Sequence, residues 1–205
     1  MVQVSRGWPK VSEGNAQLSL AGRVAAFHSI IDACEMTRRG DDSIIELEQG
    51  MRAAMEMLLR VREHSRGVYV VGNGGSASVA SHMVTDLLNV MEIRAYAVHD
   101  ASLMTCMAND YGYENAYARI LSGVAREGDL LIAISSSGRS ENIRNAVHKM
   151  QALGGETITL SGFDQANPLR ALGDLNIWLD SNDYGFVEVG HQFILHNMID
   201  RFAVK

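Results

Sequence analysis

Hydrophobic and polar positions follow two different patterns along this chain. In residues 18–36 and 44–61 apolar residues recur every three or four positions, which places them on one face of an α-helix. Residues 40–43, with the sequence Gly-Asp-Asp-Ser, separate the two segments, and Asp42 or Ser43 is suited to be the N-cap of the second helix. The N-terminal part is therefore predicted to contain two amphipathic helices.

After Gly67, short apolar and β-branched runs alternate with segments of helical periodicity. The predicted strands are residues 68–71, 94–98, 130–134, 156–160 and 175–179, and the predicted helices are residues 76–88, 102–109, 114–125, 139–152, 166–172 and 184–202. Continuously apolar strands that alternate with helices are typical of a parallel sheet covered on both faces. We expect a three-layer α/β/α sandwich with a central five-stranded parallel sheet, preceded by the N-terminal helices.

The length and composition favour one soluble domain. The chain has 205 residues, of which residues 1–15 lack periodicity and are expected to form a flexible tail, with a single domain over residues 16–205. No apolar run approaches the roughly 20 residues that a bilayer span requires, and the N-terminus lacks the apolar core of a signal peptide. These observations predict a cytoplasmic location. Cys34 and Cys106 lie in periodic apolar segments and are expected to be buried free thiols.

The charge balance argues against a nucleic-acid partner. The chain has 18 Lys and Arg against 24 Asp and Glu, a net charge of −6, and its basic residues are scattered. Nucleic-acid binding depends on a basic patch that meets the phosphates. An anionic ligand would therefore have to be attracted by local backbone groups.

Two polar loops follow predicted strands, where ligands bind in open parallel sheets. In residues 72–76, Gly-Asn-Gly-Gly-Ser, the glycines let the backbone approach an anion at a helix N-terminus, so Gly74, Gly75 and Ser76 are candidate phosphate contacts. Residues 135–140 precede another helix and supply four hydroxyl donors, from Ser135, Ser136, Ser137 and Ser140. The alternative is a polar turn in which Ser140 is only an N-cap.

The first loop also matches the G-x-G-x-x-A dinucleotide fingerprint, with Asp100 near the position of a ribose-binding acid. That fold has no evident use for a second phosphate loop rich in serine, which a phosphosugar site would use directly. A P-loop is excluded because no Lys follows the glycines.

Histidines and carboxylates on two helices form a third group. His82 and Asp86 are four residues apart on one helix face, and the last helix carries Glu188, His191 and His196. Two imidazoles and two carboxylates would suit a divalent metal or acid/base chemistry if the helices meet. The alternative for His82 and Asp86 is an ordinary i,i+4 pair.

These motifs, with Asn-Asp-Tyr-Gly-Tyr at residues 109–113, Arg-Glu-Gly-Asp at 126–129 and Asn142, together resemble the sugar isomerase (SIS) domain family. More narrowly, they resemble the phosphoheptose isomerases, which interconvert sedoheptulose 7-phosphate and D-glycero-D-manno-heptose 7-phosphate. The resemblance extends from about residue 20 to residue 205. It implies a homotetramer with sites near the subunit interfaces.

The resemblance also assigns roles to individual positions. It implies that Asn73, Asp110 and Glu188 contact the sugar, and that Asp86 and His196 are the catalytic acid/base pair. The phosphate contacts it implies are Ser76, Ser135, Ser136, Ser137 and Ser140, and the positions that bind zinc in some members are His82, Asp86, Glu188 and His196. This chain departs from the family pattern at four positions: Asp86 replaces Glu, Glu188 replaces Gln, Gly185 replaces Asp, and Val90 replaces Arg.

The function expected from these features is aldose/ketose isomerisation of a phosphosugar through an enediol. Two alternatives stay open. One is a non-catalytic SIS protein that binds a phosphosugar for regulation, and the other is an isomerase of a different phosphosugar.

Overall fold

Seven strands form one sheet in the part of the chain, residues 19–203, that the computed structural model describes. The strands are β1 (Glu35–Arg38), β2 (Asp41–Ile45), β3 (Gly67–Gly72), β4 (Arg94–Ala97), β5 (Leu130–Ser135), β6 (Glu156–Ser161) and β7 (Leu175–Trp178). Their order across the sheet is β2-β1-β7-β6-β5-β3-β4. The five strands from β7 to β4 are parallel, and β1 is antiparallel to both of its neighbours.

Seven α-helices occur within the same residues. They are α1 (Leu20–Asp32), α2 (Leu47–Glu63), α3 (Gly75–Asn89), α4 (Ala101–Tyr111), α5 (Ala116–Val124), α6 (Glu141–Ala152) and α7 (Tyr184–Ala203), and short 3₁₀ turns cover Tyr113–Asn115 and Pro168–Ala171. The predicted strands and helices after residue 67 are thus confirmed with small shifts at their ends, except that the helix predicted for residues 166–172 is only the 3₁₀ turn Pro168–Ala171. The tail predicted for residues 1–15 lies outside the described residues.

Two hydrophobic clusters pack against opposite faces of the sheet. Residues of α2, α3 and α7, such as Leu58, Met83 and Leu195, pack on one face, and residues of α5 and α6, such as Leu121 and Val147, pack on the other. Every residue of β3 and β5 is buried, since both faces of these central strands are covered. This arrangement confirms the three-layer α/β/α prediction.

The hairpin of β1 and β2 corrects the prediction at the N-terminal side. Helix α1 ends at Asp32, and β1 then pairs with β7, so that Met36 lies opposite Ile177 and is fully buried. The sheet therefore has seven strands and not five, and α2 follows a hairpin. The pairing joins segments about 140 residues apart, which local periodicity cannot report.

The N-cap of α2 is also different from the prediction. Asp42 and Ser43 lie in β2, and the carboxylate of Glu46 accepts hydrogen bonds of 2.9 Å from the backbone N–H groups of Glu48 and Gln49. Glu46 thus satisfies the first free donors of the helix and places its negative charge at the positive end of the helix dipole.

The two cysteines are free, as predicted, but only one is buried. Cys34 is buried, and burial raises the pKa of its thiol to about 12. Cys106 is exposed on α4, which contradicts the prediction that both thiols are buried. Within residues 19–203, no helix combines the length and hydropathy needed to cross a bilayer.

Candidate active site

The two polar loops lie side by side at the carboxyl edge of the parallel strands. Strands β3 and β5 are neighbours, with Gly72 opposite Ile134, so the loops that follow them open toward the same cavity of about 150 Å³. Helices α3 and α6 begin at these loops, and their free N–H groups favour an anion. The cavity is lined by Asn73, Ser76, Ile134, Ser135, Ser136, Ser137, Ser140, Tyr184 and Glu188.

The serines of the second loop are arranged for more than helix capping. Ser140 occupies the N-cap position of α6 but caps no helix N–H, and its hydroxyl accepts a 3.2 Å hydrogen bond from the Ser135 hydroxyl. The Ser137 hydroxyl accepts from the backbone N–H of Arg139 at 3.3 Å. The Ser136 hydroxyl is buried and has no hydrogen-bond partner in the structure. An unpartnered buried hydroxyl in a polar cavity points to a ligand that accepts its proton.

Glycines in the first loop permit its sharp turn and a close approach by the last helix. Gly74 precedes α3 with a φ of +56°, a conformation that other residues adopt at a cost. A Cβ on Gly75 would lie 2.3 Å from a carboxylate oxygen of Glu188. Glu188 on α7 therefore packs against the N-terminus of α3, where the helix dipole stabilises its charge.

A set of amide and phenol side chains holds Asn73 in place at the cavity. The side-chain amides of Asn73 and Asn142 exchange hydrogen bonds of 2.9 and 3.0 Å, and the Tyr113 hydroxyl donates to the Asn73 side-chain oxygen at 2.8 Å. Sequence reasoning gave no role to Tyr113 or to the cavity residue Tyr184. Tyr113 belongs to the motif at residues 109–113, whereas no pattern marks Tyr184.

Asp110 does not line the cavity within this chain. It is exposed near the end of α4, where its carboxylate accepts a 2.9 Å hydrogen bond from the Asn109 amide and lies 3.7 Å from the Cys106 thiol. Its contact with the sugar stays a prediction.

Helices α3 and α7 pack against each other and bring together three of the predicted metal ligands. The Asp86 Oδ2 atom lies 3.5 Å from His82 Nε2 and 3.3 Å from His196 Nδ1, and the two imidazole rings are in edge contact at 4.5 Å between centroids. Because Asp86 also contacts His196, the alternative in which His82 and Asp86 form only an i,i+4 pair is wrong. These three residues can be called the histidine–aspartate cluster.

The cluster has the chemistry of a divalent-metal site. Its three candidate donor atoms lie within 4.8 Å of one another, and imidazole nitrogen with carboxylate oxygen is a donor set that suits Zn²⁺. The Asp86 Oδ2 atom is buried and makes no hydrogen bond, so it is available to a metal or a proton. Glu188, the fourth predicted ligand, is not part of this group, because its carboxylate packs against Gly75.

Two other residues noticed in the sequence have structural roles. His191 is fully buried, its Nε2 atom lies 3.1 Å from the Ser161 carbonyl oxygen, and burial lowers the pKa of its imidazole to about 4. Asp100 caps α4, where its carboxylate accepts from the backbone N–H groups of Ser102 and Leu103. The capping role of Asp100 gives no support to the dinucleotide interpretation.

Comparison with known proteins gives the family. The model of the SIS domain matches residues 28–162, which is more than half of the chain. A phosphoheptose isomerase from Geotalea daltonii is 33% identical over 161 residues, covering 76% of this chain and 83% of that protein. The chain belongs to the SIS domain family of phosphoheptose isomerases.

Two further relatives agree with this membership. A phosphoheptose isomerase from Helicobacter pylori is 30% identical over 164 residues, covering 77% of this chain and 85% of the other. The structure of a phosphoheptose isomerase from Neisseria gonorrhoeae superposes with a TM-score of 0.76 at 26% identity, covering 90% of this chain and 99% of that one. The chain is therefore similar to isomerases along most of its length.

Proposed function

We propose that this protein isomerises sedoheptulose 7-phosphate to D-glycero-D-manno-heptose 7-phosphate. The observation that carries the proposal is the position of the histidine–aspartate cluster relative to the cavity between the two polar loops, here called the phosphate cavity. His82 follows Ser76 by six residues on α3, roughly 9 Å along the helix axis. A sugar chain of several carbons spans that separation when its phosphate lies in the loops.

The two loops hold the phosphate at the end of the substrate that does not react. Ser76, Ser136 and Ser137 donate hydroxyl hydrogen bonds to phosphate oxygens, and the N-termini of α3 and α6 supply the positive field. Asn73, held by Asn142 and Tyr113, presents its amide to a sugar hydroxyl. Binding energy from these contacts positions the reacting carbons at the cluster.

Asp86 and His196 move the protons. One of them removes the proton from the carbon next to the carbonyl, and the other protonates the carbonyl oxygen, which gives a neutral enediol. Return of a proton to the neighbouring carbon and loss of one from the other oxygen complete the isomerisation with no net change in protons. A positioned acid and base of this kind contribute about 10² to 10⁴ in rate each.

The cluster also supports a zinc site. His82, Asp86 and His196 would hold the ion, with Glu188 as a fourth ligand only if its carboxylate leaves Gly75. A bound Zn²⁺ would polarise the carbonyl and diol oxygens. Metal analysis of untagged protein tests this proposal: about one equivalent supports it, and less than about 0.2 equivalents with activity that survives chelation contradicts it.

Exposed apolar residues support assembly into a homotetramer. Helix α1 has no buried residue, although Leu20 and Val24 are large and apolar, and α4, which carries Asp110, likewise buries none within the described residues. A second copy that covers these helices would bury them and bring Asp110 to a shared site. We further propose a cytoplasmic enzyme in which residues 16–205 form one domain.

A non-catalytic role in phosphosugar binding is the second candidate. The structures of SIS proteins share a fold that does not by itself specify chemistry. The histidine–aspartate cluster favours the enzyme, because phosphate binding alone gives no use for a buried carboxylate oxygen that lies between two imidazoles without a hydrogen bond.

Product analysis by NMR distinguishes these functions. The protein is incubated with pentulose, hexulose and heptulose phosphates at equal concentration, and the aldose signals are followed. We expect conversion of sedoheptulose 7-phosphate to exceed that of the others. Faster conversion of a shorter sugar would mean that the shorter sugar is the substrate. Binding without conversion of any sugar would support the non-catalytic role.

A further inference from the structure

A second, larger cavity lies along the edge strand β4, beside the end of α5. Its volume is about 510 Å³, and it opens beside the first residues of β3, β4 and β5, Gly67, Arg94 and Leu130. The phosphate loops follow the last residues of β3 and β5. The lining of the larger cavity ends at Tyr69 in β3 and at Val98 after β4, and the two cavities share no lining residue.

Three arginines converge on this cavity, although the chain as a whole is acidic. The lining includes Arg66, Arg94 and Arg126, and none of them forms an ion pair with a carboxylate of residues 19–203. Eight other arginines in that range do form such pairs, namely Arg23, Arg39, Arg52, Arg60, Arg62, Arg139, Arg170 and Arg201. Six arginines in that range form no such pair, and three of them line this one concave site, whereas Arg38, Arg119 and Arg144 lie elsewhere.

Backbone carbonyl groups hold two of these arginines in place. Arg94 donates from Nη2 to the Ser65 carbonyl oxygen, and Arg126 donates from Nη1 to the carbonyl oxygens of Gly123 and Ala125, at 3.3 and 2.8 Å. Each guanidinium has five N–H donors, so both arginines keep donors for a ligand. Since their partners carry no formal charge, their positive charges are not neutralised.

The one acid in the lining, Asp129, can balance only one of the three positive charges. Asp129 is buried, and its two carboxylate oxygens accept hydrogen bonds from the backbone N–H groups of Gly67 at 2.8 Å and Arg126 at 2.7 Å. The carboxylate therefore fixes the backbone at the start of β3 and before β5. An anionic ligand is left as the natural partner of the guanidinium groups.

An aromatic surface lies beside the arginines. The rings of Tyr69 and Tyr96 are stacked, with 5.4 Å between centroids and 23° between planes. Tyr69 is buried and donates its hydroxyl hydrogen bond to the Val124 carbonyl oxygen, whereas Tyr96 is 44% exposed. A planar ligand can continue this stack on Tyr96.

We propose that this cavity, the arginine pocket, binds a nucleoside phosphate. The base stacks on Tyr96, and the phosphate oxygens accept hydrogen bonds from Arg66, Arg94 and Arg126. The volume falls within the 300–1,000 Å³ typical of small-molecule sites. The flat aromatic surface beside the arginines favours a ligand that joins a planar base to a phosphate. Stacking is tolerant of base identity, so ADP is a suitable probe.

Calorimetric titration of the full chain tests the pocket, with ADP, pyrophosphate and adenosine as separate ligands. We expect saturable binding of one ADP per chain, and weaker binding of both pyrophosphate and adenosine. Arg66→Ala is expected to weaken the binding of ADP and of pyrophosphate by at least about tenfold, since it removes a charge-assisted hydrogen bond. Tyr96→Leu is expected to weaken the binding of ADP by at least about fivefold and to leave the affinity for pyrophosphate unchanged.

Matched variants locate the binding. Arg52→Ala removes the same charge from an exposed position on α2 and is expected to bind ADP as the parent does. Ser136→Ala, in the phosphate cavity, is also expected to leave ADP binding unchanged. Arg66→Gln repeats the arginine test with a polar side chain if Arg66→Ala unfolds at a lower temperature than the parent.

Three results would overturn the proposal. The first is no saturable heat with ADP at millimolar concentration. The second is loss of ADP binding in Ser136→Ala with normal binding in Arg66→Ala, which would place ADP in the phosphate cavity. The third is normal ADP affinity in Tyr96→Leu with pyrophosphate binding equal to that of ADP, which would reduce the pocket to a site for inorganic anions.

Discussion

Ser136 shows at the scale of one residue how the proposed site differs from the rest of the core. Its hydroxyl is buried without a partner, whereas the buried hydroxyl of Thr159, in the carboxyl half of β6, donates to Asn176 at 2.7 Å. An unsatisfied buried hydroxyl destabilises the folded protein by about 1 to 3 kcal/mol. A phosphate oxygen in the cavity would satisfy it.

Replacing Ser136 therefore separates binding from stability. We expect Ser136→Ala to weaken binding of the phosphosugar roughly 5- to 150-fold, which corresponds to 1 to 3 kcal/mol for a hydrogen bond to a charged group. The free energy of unfolding without ligand is expected to stay equal or rise, because no hydrogen bond is lost. Calorimetric titration and urea denaturation measure the two quantities.

Ser122→Ala is the matched control for this comparison. Ser122 lies on α5, and its hydroxyl donates only to the Ala118 carbonyl oxygen of the same helix. It is expected to bind substrate as the parent does. Lower stability of Ser136→Ala with unchanged affinity would show that the hydroxyl serves the fold and not the ligand.

At the scale of elements, the sequence was most informative where the decisive contacts are local. The loops after β3 and β5 could be predicted because strand, glycine or serine cluster and helix follow one another within 72–76 and 135–140. The β1–β2 hairpin could not be predicted, because its pairing with β7 is set by distant residues. The position of Glu188 against Gly75 likewise depends on how α7 packs on α3.

Helix α7 also carries two histidines in different surroundings. His191 is fully buried beside the Ser161 carbonyl group, whereas the His196 side chain is 40% exposed and belongs to the histidine–aspartate cluster. The five-residue spacing alone does not reveal which histidine lies in the core. The family resemblance selected His196, and the packing of α7 gives the physical reason.

The buried histidine predicts how stability depends on pH. Burial lowers the pKa of His191 from 6.5 to about 4, so the unfolded chain takes up a proton below pH 6.5 that the folded chain does not. The contribution of this residue to the free energy of unfolding is thus complete above pH 6.5 and falls as the pH decreases toward 4. The loss is at most about 3 kcal/mol in total.

Urea denaturation of His191→Gln between pH 7 and pH 4.5 measures this contribution, because glutamine can donate to the Ser161 carbonyl group but does not titrate. We expect a smaller decrease in stability with falling pH than in the parent. His148→Gln, at an exposed position on α6, is expected to follow the parent. Equal pH dependence in His191→Gln and the parent would mean that His191 does not titrate differently on folding.

For the whole molecule, the apolar surface around α1 indicates that a single copy leaves hydrophobic side chains exposed that a second copy would cover. Leu20 is 82% exposed, Val24 is 61% exposed, and Phe193 on the adjoining α7 is half-exposed with its ring 5.9 Å from that of Phe27. Apolar groups that remain in water on a helix without buried residues favour association.

Disrupting this surface is expected to separate the subunits. We expect the parent to elute as an assembly of several 22.4 kDa chains, and the double variant Leu20→Glu, Val24→Glu to have a lower mass and reduced turnover. Light scattering after size-exclusion chromatography measures the mass. Ser122→Glu, on the exposed side of α5, is expected to keep the mass of the parent. A monomeric parent with full activity would contradict the assembly.

If Asp86 and His196 move a proton through an enediol, deuterium from the solvent enters the sugar during isomerisation. The protein is incubated with sedoheptulose 7-phosphate in D₂O, and the carbon next to the carbonyl is examined by NMR. We expect deuterium at that carbon in the parent, and turnover reduced by about 10² to 10⁴ in Asp86→Asn, which keeps size and polarity but removes the base. Asp200→Asn, on the exposed side of α7, is the control and is expected to incorporate deuterium into the sugar as the parent does. Conversion without deuterium would indicate a hydride shift, and full turnover in Asp86→Asn would contradict the role of the cluster.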